Sequence, residues 1–472
     1  MNILFAASEA RPFIASGGLG DVAGALPKAL CDAGHDCRVI MPLYSDIPET
    51  YRERMRFIAS FEVELSWRRQ YCGLLTLEHE GVTFYFVDNE YYFRRPGIYG
   101  CYDDGERFAF FSRAVIDCIP RMEGFVPEVI HCNDWQTGPI PVFLRAFYRG
   151  NPLYRRIKTV FTIHNIQYQG SFDMFVAGDI LGLPEDKRCL VEYDGRCNYM
   201  KGGIDQCDVI TTVSATYAKE ILDPWYAWGL DRLLRERKYK LSGILNGIDT
   251  DSYDPETDPD IPAHFSAGDI SGKAADKAAL QREMGLAEDK DAMLIGIVSR
   301  LVSHKGFDLV EYVGGRILEM PVQLAVLGRG QQRFEDYFRR LQSRYPGRVS
   351  VVTDFVPPLA RRIYAGADVL LMPSKSEPCG LAQMIALRYG PVPIVRETGG
   401  LKDSITDIDC HAGNGFSFQS YNADDMLQAV RRANWHFHEG RWEFLVRHAL
   451  RHDFSWHRSA AAYAQLYKAI CR

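Results

Sequence analysis

The chain has 472 residues, of which 47% are apolar and 25% charged, and its formal net charge is −6. This length exceeds what one ordinary core can organise, so two large domains are expected. The acidic balance argues against a nucleic-acid partner, which needs a basic face, and no apolar run approaches the roughly 18 residues of a membrane-spanning helix.

Met1–Ser8 lacks a basic leader and reads as a first strand, Asn2–Ser8, rather than a signal peptide. The twelve cysteines form no CxxC pair and are expected to be reduced, buried small hydrophobes of a cytoplasmic protein. After the first strand, Gly17-Gly18-Leu19-Gly20-Asp21 opens a helix with an apolar face of Val22, Ala25, Leu26, Ala29 and Leu30. Glycines here let the backbone approach a ligand closely. The dinucleotide alternative fails on spacing, GxGxxxG from Gly18, and on Pro42 ending the second strand where a ribose-binding acid is wanted. A plain strand–helix connection stays open for this turn.

Further strands are expected at Cys37–Met41, Thr83–Val87, Val129–Cys132, Lys158–Ile163, Val209–Val213 and Leu241–Leu245. A polar, Pro- and Asp-rich stretch, Asn246–Pro262, marks a boundary. Beyond it come Met293–Ser299, Val322–Leu327, Val349–Thr353, Val369–Met372 and Val392–Val395. Alternation with helical segments predicts an α/β protein of two Rossmann-like parallel sheets, covered on both faces. The expected domains are 1–249, 250–455 and a terminal helix, 456–472, packing back on the first domain through Tyr463, Leu466, Tyr467 and Ile470, with Ser455 as its cap.

The most informative segment is Pro373-Ser-Lys-Ser-Glu377-Pro-Cys379-Gly380-Leu381, after the strand Val369–Met372. It sets a carboxylate and then three consecutive amides at the mouth of a helix that Gly390-Pro391 stops. A helix N-terminus favours anions through its unpaired amides and its dipole. A carboxylate beside an anion cradle suits a nucleotide sugar, which has both hydroxyls and phosphate to hold. Asp249-Thr-Asp251, Asp258-x-Asp260 and Asp407-x-Asp409 mimic a metal-binding DxD, but none follows a buried strand, and they read as turn chemistry.

Several motifs together resemble bacterial glycogen synthases and plant starch synthases. They are Gly17-Gly18-Leu-Gly-Asp21-Val, Arg95-Pro-Gly-x-Tyr99-Gly, Arg107-Phe-Ala-Phe-Phe-Ser, Asp134-Trp135, Thr162-Ile-His164-Asn165-x-x-Tyr168-Gln-Gly170, Ile244-Leu-Asn246-Gly247-Ile-Asp249, Ser299-Arg300-Leu-x-x-x-Lys305-Gly306, Ala365-Gly-Ala-Asp368, Glu377-Pro-Cys-Gly-Leu381 and Thr398-Gly-Gly-Leu-x-Asp403. They run in family order over essentially the whole chain. The resemblance implies the GT-B architecture, two Rossmann-like domains facing a deep cleft. It also implies retaining transfer of glucose from ADP-glucose to the non-reducing end of an α-1,4-glucan such as glycogen, without a cofactor or metal.

On that resemblance, Arg300 and Lys305 stabilise the departing diphosphate, His164 meets the hydroxymethyl side of the glucose, and Glu377 holds its ring hydroxyls. Gly17, Gly18, Asn246, Phe355, Cys379, Gly380 and Leu381 belong to donor binding. Asp21, Asp134 and Tyr99 belong to sugar or acceptor binding. Ile385 stands where other GT-B families carry a carboxylate, which favours same-face attack over a double displacement.

The chain departs from the family at Ala15, where a lysine is usual, at Phe355 for tyrosine, and at Pro357 and Arg361; Arg361 is a candidate replacement for the charge lost at position 15. Two alternatives therefore stay open: a GT-B glucosyltransferase with another nucleotide such as UDP-glucose, and a catalytically weakened glucan-binding relative. Nothing in the sequence specifies the oligomeric state.

Overall fold

A computed structural model describes residues 1–472 and divides the chain into two compact units. Unit 1 is Met1–Gly247 with Trp456–Arg472; unit 2 is Ile248–Ser455. No helix is long and apolar enough to cross a membrane.

The strands of unit 1 are β1 (Asn2–Ala6), β2 (Asp36–Pro42), β3 (Arg56–Leu65), β4 (Arg68–His79), β5 (Val82–Asp88), β6 (Val129–Asn133), β7 (Lys158–Ile163), β8 (Ser171–Asp173), β9 (Glu192–Tyr193), β10 (Arg196–Asn198), β11 (Val209–Thr212) and β12 (Leu241–Gly243). Nine of them form one sheet in the order β12-β11-β7-β6-β1-β2-β5-β4-β3. From β12 to β5 the pairing is parallel, as expected, and β1 and β6 are fully buried or nearly so because helices cover both faces. The sheet is not wholly parallel, however. β3 and β4 extend it as an antiparallel hairpin, and β8, β10 and β9 make a small antiparallel sheet of their own. Their residues alternate polar with apolar and half face solvent, so a search for continuous apolar runs passes over them.

Unit 2 carries β13 (Met293–Val298), β14 (Val322–Leu327), β15 (Val349–Val352), β16 (Val369–Met372), β17 (Val392–Arg396) and β18 (Phe416–Phe418), all parallel, in the order β15-β14-β13-β16-β17-β18. Numbered within the unit this is 3-2-1-4-5-6, the doubly wound order. The strand order reverses between β13 and β16 here, and between β1 and β6 in unit 1. Such switch points leave a crevice beyond the carboxyl ends of the strands, and ligands bind there.

The terminal helix Trp456–Ile470 packs against Gly18–Asp32 within unit 1. Its buried face is Trp456, Ser459, Ala460, Tyr463, Ala464 and Tyr467, rotated from the expected stripe so that Leu466 and Ile470 are only half-buried. Ser455 does not cap it: the hydroxyl is buried without a partner. Tyr467 instead anchors the helix, its hydroxyl 2.7 Å from His131 Nδ1, while His131 Nε2 meets Thr162 Oγ1 at 2.5 Å. Burial lowers the His131 pKa to about 3, so the ring is neutral. Tyr467→Phe leaves one ring nitrogen buried and unsatisfied and is expected to cost about 1–3 kcal/mol, read from the urea midpoint.

All twelve cysteines are free thiols. Cys189, Cys410 and Cys471 are exposed rather than buried, which corrects the compositional expectation for these three.

Candidate active site

In unit 2 the loops leaving β13 and β16 meet. Arg300 follows β13 and is exposed, whereas Lys305 ends a short 3₁₀ turn, Ser303–Lys305. Lys375 N donates to His304 O at 2.8 Å, tying this turn to the loop after β16. Lys305 Nζ consequently lies 2.5 Å from Glu377 Oε2, and the buried Ser374 hydroxyl donates to the same oxygen at 3.0 Å. The expected cation and carboxylate are thus brought together, 72 residues apart in sequence. Arg300 stands on the same loop as Lys305 without an ion-pair partner.

Beyond Glu377, Cys379 is buried and Gly380 takes a left-handed conformation at φ 71°. Leu381 precedes the helix Ala382–Tyr389, whose first turn has no side-chain cap. Buried Gln383 holds this bend: its Nε2 donates to Gly380 O at 2.9 Å, Cys379 O at 3.2 Å and Ser404 Oγ at 3.0 Å. Ile385 is buried on that helix. Phe355, in the loop after β15, is 79% exposed, leaving its ring face open.

Arg361 does not serve as a free replacement cation. It donates to Asp258 at 3.0 Å and to the Ser252 hydroxyl at 2.9 Å. Asp258 is buried and also accepts from Tyr389 OH, so the guanidinium balances a structural carboxylate. The three DxD look-alikes make turns: Asp249, Asp258 and Asp407 each accept the backbone N–H two residues on.

In unit 1 the switch-point strands β1 and β6 and the adjacent β7 supply the candidates. Asp134 follows β6 with φ 56°, a backbone conformation that costs a non-glycine residue about 1–3 kcal/mol. Its Oδ1 accepts from His164 N at 2.8 Å. Burial raises the Asp134 pKa to about 7, against the lowering effect of amides from His164 and Asn165. His164 follows β7 and is half-buried; burial lowers its pKa to about 3. Its Nε2 lies 2.9 Å from Asn133 Oδ1.

Gly17 is extended, and a side chain at Gly17 or Gly18 would meet nothing within 4 Å. Packing instead demands Gly20, where an added Cβ would sit 2.4 Å from Ala15 Cβ. Asp21 pairs with the Arg11 guanidinium. Tyr99 is half-buried, its hydroxyl 2.7 Å from Ser8 Oγ and its ring tilted 6.0 Å from Phe108, so one side is packed rather than free for stacking. Asn246 is buried, and its Oδ1 has no partner.

Sequence reasoning passed over Glu9, Asn133, Ser374 and Gln383. Glu9 is buried and accepts from Ser16 N at 2.6 Å and Ser16 Oγ at 2.7 Å, shaping the turn before the glycines; burial raises its pKa. A polar residue next to a motif was the only available signal for each.

Known proteins give a consistent picture. Residues 2–236 match the family described as starch synthase catalytic domain, and residues 281–434 match glycosyl transferases group 1. The glycogen synthase of Desulforamulus reducens is 50% identical over 100% of this chain and 99% of its own. That of Clostridium acetobutylicum is 50% identical over 100% of both chains. Among solved structures, the catalytic domain of starch synthase IV from Arabidopsis thaliana, bound to ADP and acarbose, has a TM-score of 0.91 and 34% identity, covering 100% of this chain and 99% of that one. Sucrose-phosphate synthase from Thermosynechococcus elongatus has a TM-score of 0.61 at 16% identity, covering 99% of this chain and 98% of that one, and shares the fold.

Proposed function

Because the chain belongs to the glycogen synthase and starch synthase family of glycosyltransferases, we propose that it transfers glucose with retention from ADP-glucose to the non-reducing end of an α-1,4-glucan. The observation that carries this reading is the Lys305–Glu377 pair at the unit 2 switch point, with Arg300 on the same loop.

Breaking the sugar–phosphate bond builds negative charge on the departing diphosphate. Arg300 offers a planar fork for its oxygens and Lys305 a point charge. The uncapped first turn after Leu381 adds amide donors at the same end of the sheet. Glu377, oriented by Lys305 and Ser374, accepts sugar hydroxyls. Within unit 1, neutral His164 offers an acceptor suited to a hydroxymethyl group, and the unpaired Asn246 Oδ1 offers an acceptor suited to a sugar hydroxyl. Phe355 stacks on the base, and Asp21, Asp134 and Tyr99 belong to the sugar and acceptor side.

With Ile385 in place of a second carboxylate, the acceptor hydroxyl attacks from the face the diphosphate leaves, and the leaving phosphate takes its proton. A trapped covalent glucosyl–Glu377 would refute this step. Adenine is the proposed base because the starch synthase IV structure holds ADP; UDP-glucose is the alternative that Ala15 and Phe355 keep in view. The reaction takes place in the cytoplasm.

Labelled-glucose transfer to a glycogen primer from ADP-glucose and from UDP-glucose tests the assignment. Incorporation from ADP-glucose is expected; glycogen binding without incorporation from either donor would favour a non-catalytic glucan-binding protein. The Asp249, Asp258 and Asp407 carboxylates are occupied by turns, so the same assay is expected to keep its rate in excess chelator. A rate abolished by chelator and restored by a divalent cation would contradict that.

A further inference from the structure

We infer that Asn133 is a positioning residue: it fixes His164 in the Nε2–H tautomer and so presents Nδ1 as a lone-pair acceptor to a substrate hydroxyl. This deepens the proposed role of His164 and rests on it.

The orientation of the Asn133 amide is dictated by its surroundings. The residue is fully buried, and its Nδ2 donates to Ala6 O at 3.0 Å and to His131 O at 3.2 Å. Both neighbours are backbone carbonyls, which only accept, so the amide nitrogen must face them and Oδ1 must face the imidazole. Oδ1 in turn only accepts. His164 Nε2, 2.9 Å away, must therefore carry the hydrogen and donate it.

Burial keeps the imidazole neutral, which leaves Nδ1 without a proton. The His164 backbone is pinned separately, its N–H donating to Asp134 Oδ1 at 2.8 Å. The ring and the main chain are thus held by two consecutive residues of the β6 end, and through Asn133 the ring is referenced to β1. A mobile imidazole would present a donor or an acceptor to the substrate in turn; this one presents only an acceptor.

The test uses the full chain with ring-labelled histidine, the His164 signal being identified by its loss in His164→Gln. In the wild type a neutral ring protonated at Nε2 alone is expected by nitrogen NMR. Asn133→Ala removes the acceptor, so Nδ1–H tautomer is expected to appear, with kcat/KM for ADP-glucose reduced about tenfold, the scale of one misdirected hydrogen bond. Asn133→Asp keeps an acceptor facing Nε2 while losing, as Asn133→Ala does, the donors to Ala6 O and His131 O. Nε2 is expected to stay protonated in it, which separates the tautomer effect from the loss of those donors.

A wild-type ring protonated at Nδ1 would overturn the inference, as would an Asn133→Ala protein that keeps the Nε2–H tautomer alone or loses it with unchanged kcat/KM. The tautomer is read without turnover. A protein that transfers no glucose yet shows the stated tautomer would sink the functional reading and leave the Asn133–His164 geometry standing.

Discussion

Lys305→Ala is expected to lower kcat for glucose transfer by about 10²–10³, or roughly 2.7–4 kcal/mol, the usual cost of removing one well-placed stabiliser of developing charge. The same substitution removes the cation 2.5 Å from Glu377, whose side chain is only 9% exposed. The stranded carboxylate then keeps Ser374 as its one hydrogen-bonding side chain, and a loss of about 1.5–3 kcal/mol in stability is expected from the charged hydrogen bond. The two losses have different remedies. In Lys305→Ala/Glu377→Ala no charge is left unpaired, so the urea midpoint is expected to recover most of the difference while kcat falls further. Recovery of both would show that Lys305 acts only by keeping the loop folded.

Gly399→Ala tests the backbone that holds Glu377. Gly399 lies at φ 45°, and a Cβ built there would stand 1.9 Å from Glu377 O and 3.2 Å from Pro378 O. Gly400 N donates to both of those carbonyls at 3.1 Å. Neither neighbour is a flexible side-chain tip, so the loop after β16 has to move. Backbone strain and overpacking each cost about 1–3 kcal/mol, giving an expected destabilisation of about 2–6 kcal/mol. A displacement of about an ångström at the carboxylate is expected to cost up to 10² in kcat. An alanine variant with wild-type stability and rate would mean that the loop is not held as described.

The apolar strands were legible because both faces are covered: Ile3–Ala6 and Val369–Leu371 read as unbroken apolar runs. The β3–β4 hairpin was not, because Phe57 is exposed while Val63 is buried on the same strand, and such mixed residues resemble any polar segment. Lys305 and Glu377 could be located because each follows an apolar strand within a family motif; the structure then sets both strands beside a reversal in strand order.

Their supporting groups were hidden for a physical reason. Asn133 takes its meaning from Ala6 O, 127 positions away, and Gln383 from Ser404, 21 positions away. Arg361 shows the converse error: it lies on the helix Pro357–Gly366 and was already committed to a buried aspartate that no local pattern announces. Gly17 and Gly18 remain compatible with ligand approach, but the glycine that packing requires is Gly20.

The initial rate of labelled-glucose transfer from saturating ADP-glucose to glycogen, measured for the wild type and for Arg300→Ala/Lys305→Ala, tests the central claim most directly. The predicted result is steady incorporation by the wild type and loss of at least about 10² in the double variant, with its urea midpoint lowered by no more than Lys305→Ala alone. A double variant that transfers glucose at the wild-type rate would contradict the assignment of these two cations to the departing diphosphate.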